Sequence, residues 1–190
     1  MEISTRELWT MIHGMGFGAL YLMACSGALV TICRRPRADV PSTTADNDGR
    51  FLQIYLSVMA ALAWITVLTG TYLVYPWYRA LPPKGTTNLA AYPQHLLLSS
   101  PITASWHLIG MEWKEHIAFV VPIAITMCAA VSIEYGRNLN RHPALRNAIL
   151  AIVATSLVAA GVAGFFGAML AKTAPIEGGA TIHLSSETTP

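Results

Sequence analysis

Charge is what this 190-residue chain has least of. Asp, Glu, Lys and Arg make up 12% of it, against about 25% in an average soluble domain. The shortage is concentrated. No charged residue occurs from Leu8 to Cys33, from Phe51 to Tyr78, from His116 to Ile133, or from Asn147 to Ala171. Stretches of this kind exclude a soluble globular domain. A hydrocarbon layer of ~30 Å is crossed by about 20 apolar helical residues, with ~17 as the lower end. All four stretches reach that length, the third only just. Backbone groups in hydrocarbon are satisfied only in helices or closed barrels. None of the stretches alternates with the period of two that a barrel strand needs, so four membrane-spanning helices are predicted.

Other absences narrow the function. Three cysteines, Cys25, Cys33 and Cys128, lie in or beside apolar stretches and make neither a disulfide framework nor a zinc set. A formal charge of +2 gives no footprint for nucleic acid. The run Gly14-Met15-Gly16-Phe17-Gly18 lacks the strand and lysine of a phosphate loop. No Ser/His/Asp set stands at a usable depth. The first apolar stretch is too long, and too poor in N-terminal basic residues, for a cleaved signal peptide. It is expected to stay as an anchor. What remains is 54% hydrophobic with a mean hydropathy of +0.48: a multi-pass membrane protein, more a non-catalytic subunit than an enzyme in its own right.

The expected architecture is all-α, a four-transmembrane-helix bundle in one domain over residues 1–175. Its helices are predicted at about 4–33, 51–78, 104–135 and 145–172, with a flexible polar tail at 176–190. Ser4-Thr5-Arg6-Glu7 fits a capping box that starts the first helix. Tyr75-Pro76-Trp77-Tyr78-Arg79 ends the second in an interfacial aromatic belt, and Trp106 and Trp113 mark the start of the third. Pro122 is expected to kink the third helix. Gly14 and Gly18, and Gly161, Gly164 and Gly167, provide small faces for close helix approach. The loops after helices 1 and 3 are short and carry Arg34, Arg35, Arg37 and Arg50, and Arg137, Arg141 and Arg146. The positive-inside rule places them in the cytoplasm, with both termini and the 79–105 loop outside, in the inner membrane of a bacterium.

The halves of the chain share an order of features. Helix 1 opens with Glu7-Leu8-Trp9 and reaches His13; helix 3 opens with Glu112-Trp113 and reaches His116. Helix 2 runs through Gly70 and Tyr72 to Arg79 and Pro82; helix 4 runs through Gly164 and Phe165 to Lys172 and Pro175. Two tandem hairpins about a pseudo-twofold axis along the membrane normal would give this order; so would chance likeness among apolar helices.

Of six histidines, His95, His142 and His183 read as ordinary solvated residues. His13 and His116 each stand at the same edge of an apolar run, on different helices. An ionisable residue at a membrane edge is a functional-site hypothesis, and two imidazoles at one depth are able to ligate one metal. Gly16, with Leu20, Ala24 and Gly27, gives the His13 face room for a flat macrocycle, and Arg6 lies two turns outward, where a propionate would sit. The competing readings are hydrogen-bonded interfacial histidines, or a non-haem iron, copper or zinc site in which Glu112, at i,i+4 from His116, joins both histidines. His107, nine residues before His116, points to the opposite face. Glu112 or Glu115 is a candidate proton relay beside a quinol, with Tyr72, Tyr75 and Arg79 as accessory groups.

On His13, His116 and the four-helix pattern, the chain resembles the small four-helix membrane b-type cytochromes of bacterial respiratory chains. The segments Thr69-Gly70-Thr71-Tyr72 through Arg79, with Trp106-His107 and Glu112 to His116, also resemble an uncharacterised group of bacterial membrane proteins. The cytochrome resemblance implies one haem b between helices 1 and 3. It also implies electron transfer between a quinol and an outer-face carrier. The alternatives are a cofactor-free structural or assembly subunit packed against other membrane subunits, and a non-haem metal-binding protein.

Overall fold

The computed structural model describes residues 2–34, 45–135, 138–174 and 181–183. Arg35, Arg37 and Arg137 of the basic loops, and residues 175–180 and 184–190 of the tail, lie outside the described residues. Strand β1 (Glu2–Ser4) leads into helix α1 (Thr5–Arg34). Helix α2 spans 45–78, α3 is the short Pro93–Leu98, α4 is Pro101–Tyr135, and α5 is Pro143–Thr173. Strand β2 (Thr181–His183) pairs antiparallel with β1, Ile3 opposite Ile182. This strand lies within the tail expected to be flexible and polar, and its pairing brings the start of α1 and the end of α5 to the same end of the molecule. The extra helix α3 was also not anticipated. Pro93 at its first turn carries no N–H to waste.

Four helices, α1, α2, α4 and α5, are long and apolar enough to cross a membrane. Helix α1 packs on α2 and α5, and α4 packs on the same two, so the four form a bundle. Only 17–33% of each apolar window is buried inside it. Met15, Met23, Ile54, Val58, Ile65, Met127 and Val158 stand exposed around the outside. A helix apolar on every face suits lipid as its solvent. The protein is therefore a multi-pass membrane protein by the length and composition of its helices.

Local sequence explains where the helices start, bend and stop. The capping box forms as read: Ser4 N–H donates to Glu7 Oε2 at 2.8 Å and Glu7 N–H to Ser4 Oγ at 3.2 Å. Helix α4 breaks into Pro101–Ile117 and Val120–Tyr135. The break lies four residues before Pro122, whose missing N–H leaves the Ala118 carbonyl without its helical donor. Two further irregularities carry no proline. Residues Ile12–Gly18 of α1 and Gly70–Val74 of α2 are π-helical, and they pack against one another at one level. Such wide turns are common at functional sites.

The main core lies toward the basic loops. Tyr21, Cys25, Ala28 and Ile32 of α1 meet Leu52, Leu56 and Met59 of α2, Ile125 and Cys128 of α4, and Ile149 and Val153 of α5. Tyr55 donates to the Ala24 carbonyl at 2.9 Å with its hydroxyl pressed on Gly27, and Trp64 donates to Thr126 at 3.1 Å. At the basic end, Arg146 of α5 closes the C-terminus of α1 by donating to the Ile32 carbonyl at 2.8 Å, as a cation at a helix C-terminus should. A smaller cluster of Tyr78, Leu97, Met111, Leu170 and Ala174 closes the end that carries the termini.

Candidate functional site

Counting along the helices sets the depth of the site. Twenty or twenty-one residues separate Arg34 from His13, Arg50 from Gly70, Glu134 from Lys114, and Arg146 from Gly167. At 1.5 Å per residue that is about 30 Å, one hydrocarbon thickness. His13, Gly70, Lys114 and Gly167 thus share a layer at the apolar boundary. The helices continue beyond it, and the polar side chains collect there.

Beyond this layer, α2 and α4 join through paired side chains. The Tyr75 hydroxyl donates to Glu115 Oε1, and Arg79 Nη1 donates to the Tyr75 oxygen at 2.9 Å, its guanidinium 5.3 Å from the ring centre. One helical turn further out, Tyr78 bonds His107 Nδ1 at 2.6 Å and the two rings stack 5.8 Å apart. Tyr78 is buried, and the hydroxyl is the natural donor to an imidazole lone pair. That leaves the proton of the neutral His107 ring on Nε2. Arg79, Gln94, His107, Leu108, Met111, Glu112 and Glu115 line a cavity of about 160 Å³. Three separate elements, α2's end, α3 and α4, supply its polar groups. Among the described residues Glu115 Oε2 accepts no hydrogen bond, and His107 Nε2–H and Arg79 are donors.

Helix rotation decides the fate of the segment Glu112 to His116. Trp113 Nε1 donates to the Ala159 carbonyl of α5 at 3.2 Å, and Glu115 is held by Tyr75 of α2. Residues one apart differ by about 100° around a helix. Glu112 and His116 therefore fall on the arc facing away from the bundle. Their side chains are 72% and 74% exposed, with His116 Nδ1 at 2.8 Å from the Glu112 carbonyl and 3.5 Å from its Oε2. They line a shallow groove with Leu108, Ile109, Trp113 and Ile117.

His13 faces the other way. Its ring lies on the α2 backbone: a Cβ at Gly70 would stand 2.6 Å from His13 Cε1. Its Nδ1 is 3.3 Å from Thr69 Oγ1. The expected pairing of His13 with His116 is thus not formed. A haem ligated by both needs two rings facing one gap, and one of these faces outward. The residues do not fit that group. A Cβ at Gly16 would touch only Ile12 of its own helix, while Tyr55 fills the face at Gly27 and Leu20 is exposed. Arg6 sits half-buried in the first turn of α1. The alternative set of His13, Glu112 and His116 is split in the same way, and no group of three metal-ligating side chains occurs among the described residues.

Of the accessory residues, Glu115, His107 and Arg79 come together at the cavity, whereas Tyr72 is 68% exposed. His107 bonds Tyr78 at the end of α2. Lys114 and Gln94 were not singled out from sequence. The signal for Lys114 was present: it stands between Trp113 and Glu115, both of which had reasons to face neighbouring helices. Gln94 had none, because its position depends on how α3 folds back.

The fold and this site define a class: a multi-pass membrane bundle with ionisable side chains gathered at the end that carries its termini. No family model matches the chain, and neither curated proteins nor solved structures give a match.

Proposed function

We propose that the chain is a non-catalytic membrane subunit that binds the head group of a lipid-soluble hydroxylated ligand, a quinol being the candidate, and exchanges a proton with it at Glu115. The observation that carries this reading is the convergence of Arg79, Gln94, His107 and Glu115 on one cavity just beyond the apolar boundary. A quinol carries two ring hydroxyls on an apolar tail. The free Glu115 oxygen accepts from one, while His107 and Arg79 donate to the other oxygen. Bonds in which one partner is ionised contribute about 1.5–3 kcal/mol each.

The tandem-hairpin reading belongs to the same proposal, in a changed register. His13 of α1 rests on Gly70 of α2, and Lys114 of α4 rests on Gly167 of α5. The pseudo-twofold would therefore relate His13 to Lys114 rather than to His116. The basic loops would face the cytoplasm of a bacterium and the cavity its outer face, where the released proton would leave. Among the described residues a Cβ at Gly14, Gly161 or Gly164 would meet nothing within 4 Å, which suits close approach of another subunit's helix.

The test is a titration of a short-chain benzoquinol into the protein in phosphatidylcholine nanodiscs, read by quenching of tryptophan fluorescence. Saturable quenching is expected, weakened about tenfold in Glu115→Gln, the loss of one charge-assisted bond. Absence of saturation in the wild-type protein, or equal affinity in the variant, overturns the reading.

A further inference from the structure

His116 is the ionisable side chain whose placement lipid does not explain. Eighteen residues separate it from Glu134, about 27 Å of helix, so it stands just inside the ~30 Å apolar layer. Its side chain is nevertheless exposed, as is that of Glu112, one helical turn outward. Ionisable groups at membrane depth almost always face protein or a water-filled cavity, because hydrocarbon solvates them poorly. Here the two line an open groove whose other walls are Leu108, Ile109, Trp113 and Ile117. Leu108 and Ile109 are themselves exposed. An apolar groove holding one imidazole and one carboxylate is complete only when another surface closes it.

The hydrogen bonding of His116 says what that surface brings. Nδ1 lies 2.8 Å from the Glu112 carbonyl oxygen, which can only accept. The neutral ring therefore carries its proton on Nδ1, and Nε2, on the far side of the ring, keeps its lone pair. Glu112 Oε2 is 3.5 Å from the same Nδ1, so carboxylate and imidazole already lie side by side. A ring N–H held by a backbone carbonyl, with the other nitrogen left as a lone pair, is the arrangement of metal-ligating histidines. A carboxylate and an imidazole one turn apart on a helix are able to reach one ion. Two ligands do not close a site, and no third metal-ligating side chain joins them among the described residues.

We infer that Glu112 and His116 form half of a zinc site, completed by the same pair from a second copy of this chain. About a twofold axis a surface meets itself. One such contact supplies two imidazoles and two carboxylates, the four ligands that a closed zinc site takes. Charge selects this partner. Two carboxylates and two neutral imidazoles carry two negative charges, which one Zn²⁺ cancels, and an apolar interface leaves no other solvent to do so. Without the ion, the twofold would set two carboxylates against one another. Lipid tails or an unrelated apolar helix would cover the groove and leave both groups unpaired. Glu112 turns from His116 Nδ1 to the ion, a motion open to a side chain this exposed. Leu108, Ile109, Trp113 and Ile117 pack around the ion against their copies and exclude water from it. The site adjoins the cavity beside Arg79 and Glu115 through Glu112, but it needs no ligand bound there.

The test uses the full chain without a histidine tag, in detergent, stripped of metal with EDTA and then titrated with zinc chloride. Native mass spectrometry reads mass and zinc stoichiometry, and light scattering reads the dimer fraction. One zinc per two chains is expected, with a dimer that forms as zinc is added and is lost on return of EDTA. His116→Ala and Glu112→Gln are each expected to weaken the zinc-dependent dimer at least tenfold. In metal-free buffer both should keep the wild-type Tm, which separates loss of the site from loss of the fold. Absence of zinc binding, one zinc per monomer, or a dimer indifferent to EDTA overturns the proposal. So does a His116→Ala protein that dimerises with zinc as the wild type does. If a variant fails to fold, the zinc stoichiometry and EDTA response of the wild-type chain decide alone.

Discussion

The two halves of the bundle are built by opposite rules. Toward the basic loops the helices meet through fully buried aliphatic side chains, Ile32, Leu52, Leu56, Ile125 and Val153. Toward the termini they meet through pairs of polar groups, Tyr75 with Glu115 and Tyr78 with His107, and through rings laid on glycines. The first half is held by packing, since lipid offers no hydrophobic drive between helices. The second half gives up packing for paired polar and ionisable side chains. Both π-helical turns fall at its lower edge, where the two regimes join.

Substitutions can break this contrast, beginning with the largest effect. Leu56→Ala removes a fully buried side chain from the aliphatic half and is expected to cost about 2–5 kcal/mol, read as a loss of Tm in detergent. Met111→Ala in the polar half should cost clearly less. A similar cost for both would erase the distinction. Gly70→Ala is expected to cost about 1–3 kcal/mol, because its Cβ meets the His13 ring. Combined with His13→Ala most of that cost should disappear. A double-mutant cycle without coupling would mean that the ring does not rest on Gly70.

Smaller effects sharpen the contrast. Ser4→Ala removes one side of the capping box and should cost about 1 kcal/mol, again read by thermal unfolding. His116→Ala should change stability by no more than about 0.5 kcal/mol, as for other exposed residues. It should also leave the absorption spectrum of the purified protein unchanged. A Soret band lost in that variant would restore the histidine to a haem site and refute its outward placement.

Much of the fold could be read in the chain. Runs without charge mark the four spans, because lipid admits few charges whatever the packing. Ser4 and Glu7 form their capping box, because that interaction is local. The break near Pro122 follows from a missing N–H. The site was legible in part. Glu115, His107 and Arg79 stand out in the sequence for their charge and depth, yet depth alone also pairs His13 with His116. Depth follows from counting residues along one helix, whereas pairing also requires the rotation of each helix. The wide turn at Ile12–Gly18 alters that rotation just at His13. The short helix α3, which brings Gln94 to the cavity, and the pairing of Thr181–His183 with Glu2–Ser4 depend on distant contacts that no local pattern announces.

By itself, then, the sequence determined the solvent, the number of crossings and the level at which the ionisable residues stand. Those quantities sum contributions along a single helix axis. Only the tertiary structure decided which residue of Trp113-Lys114-Glu115-His116 looks inward. Four consecutive residues share one depth and differ by about 100° in direction. Choosing among them needs the bond from Trp113 to α5 and the bond from Tyr75 to Glu115. That choice is why Lys114, and not His116, turns toward the other helices.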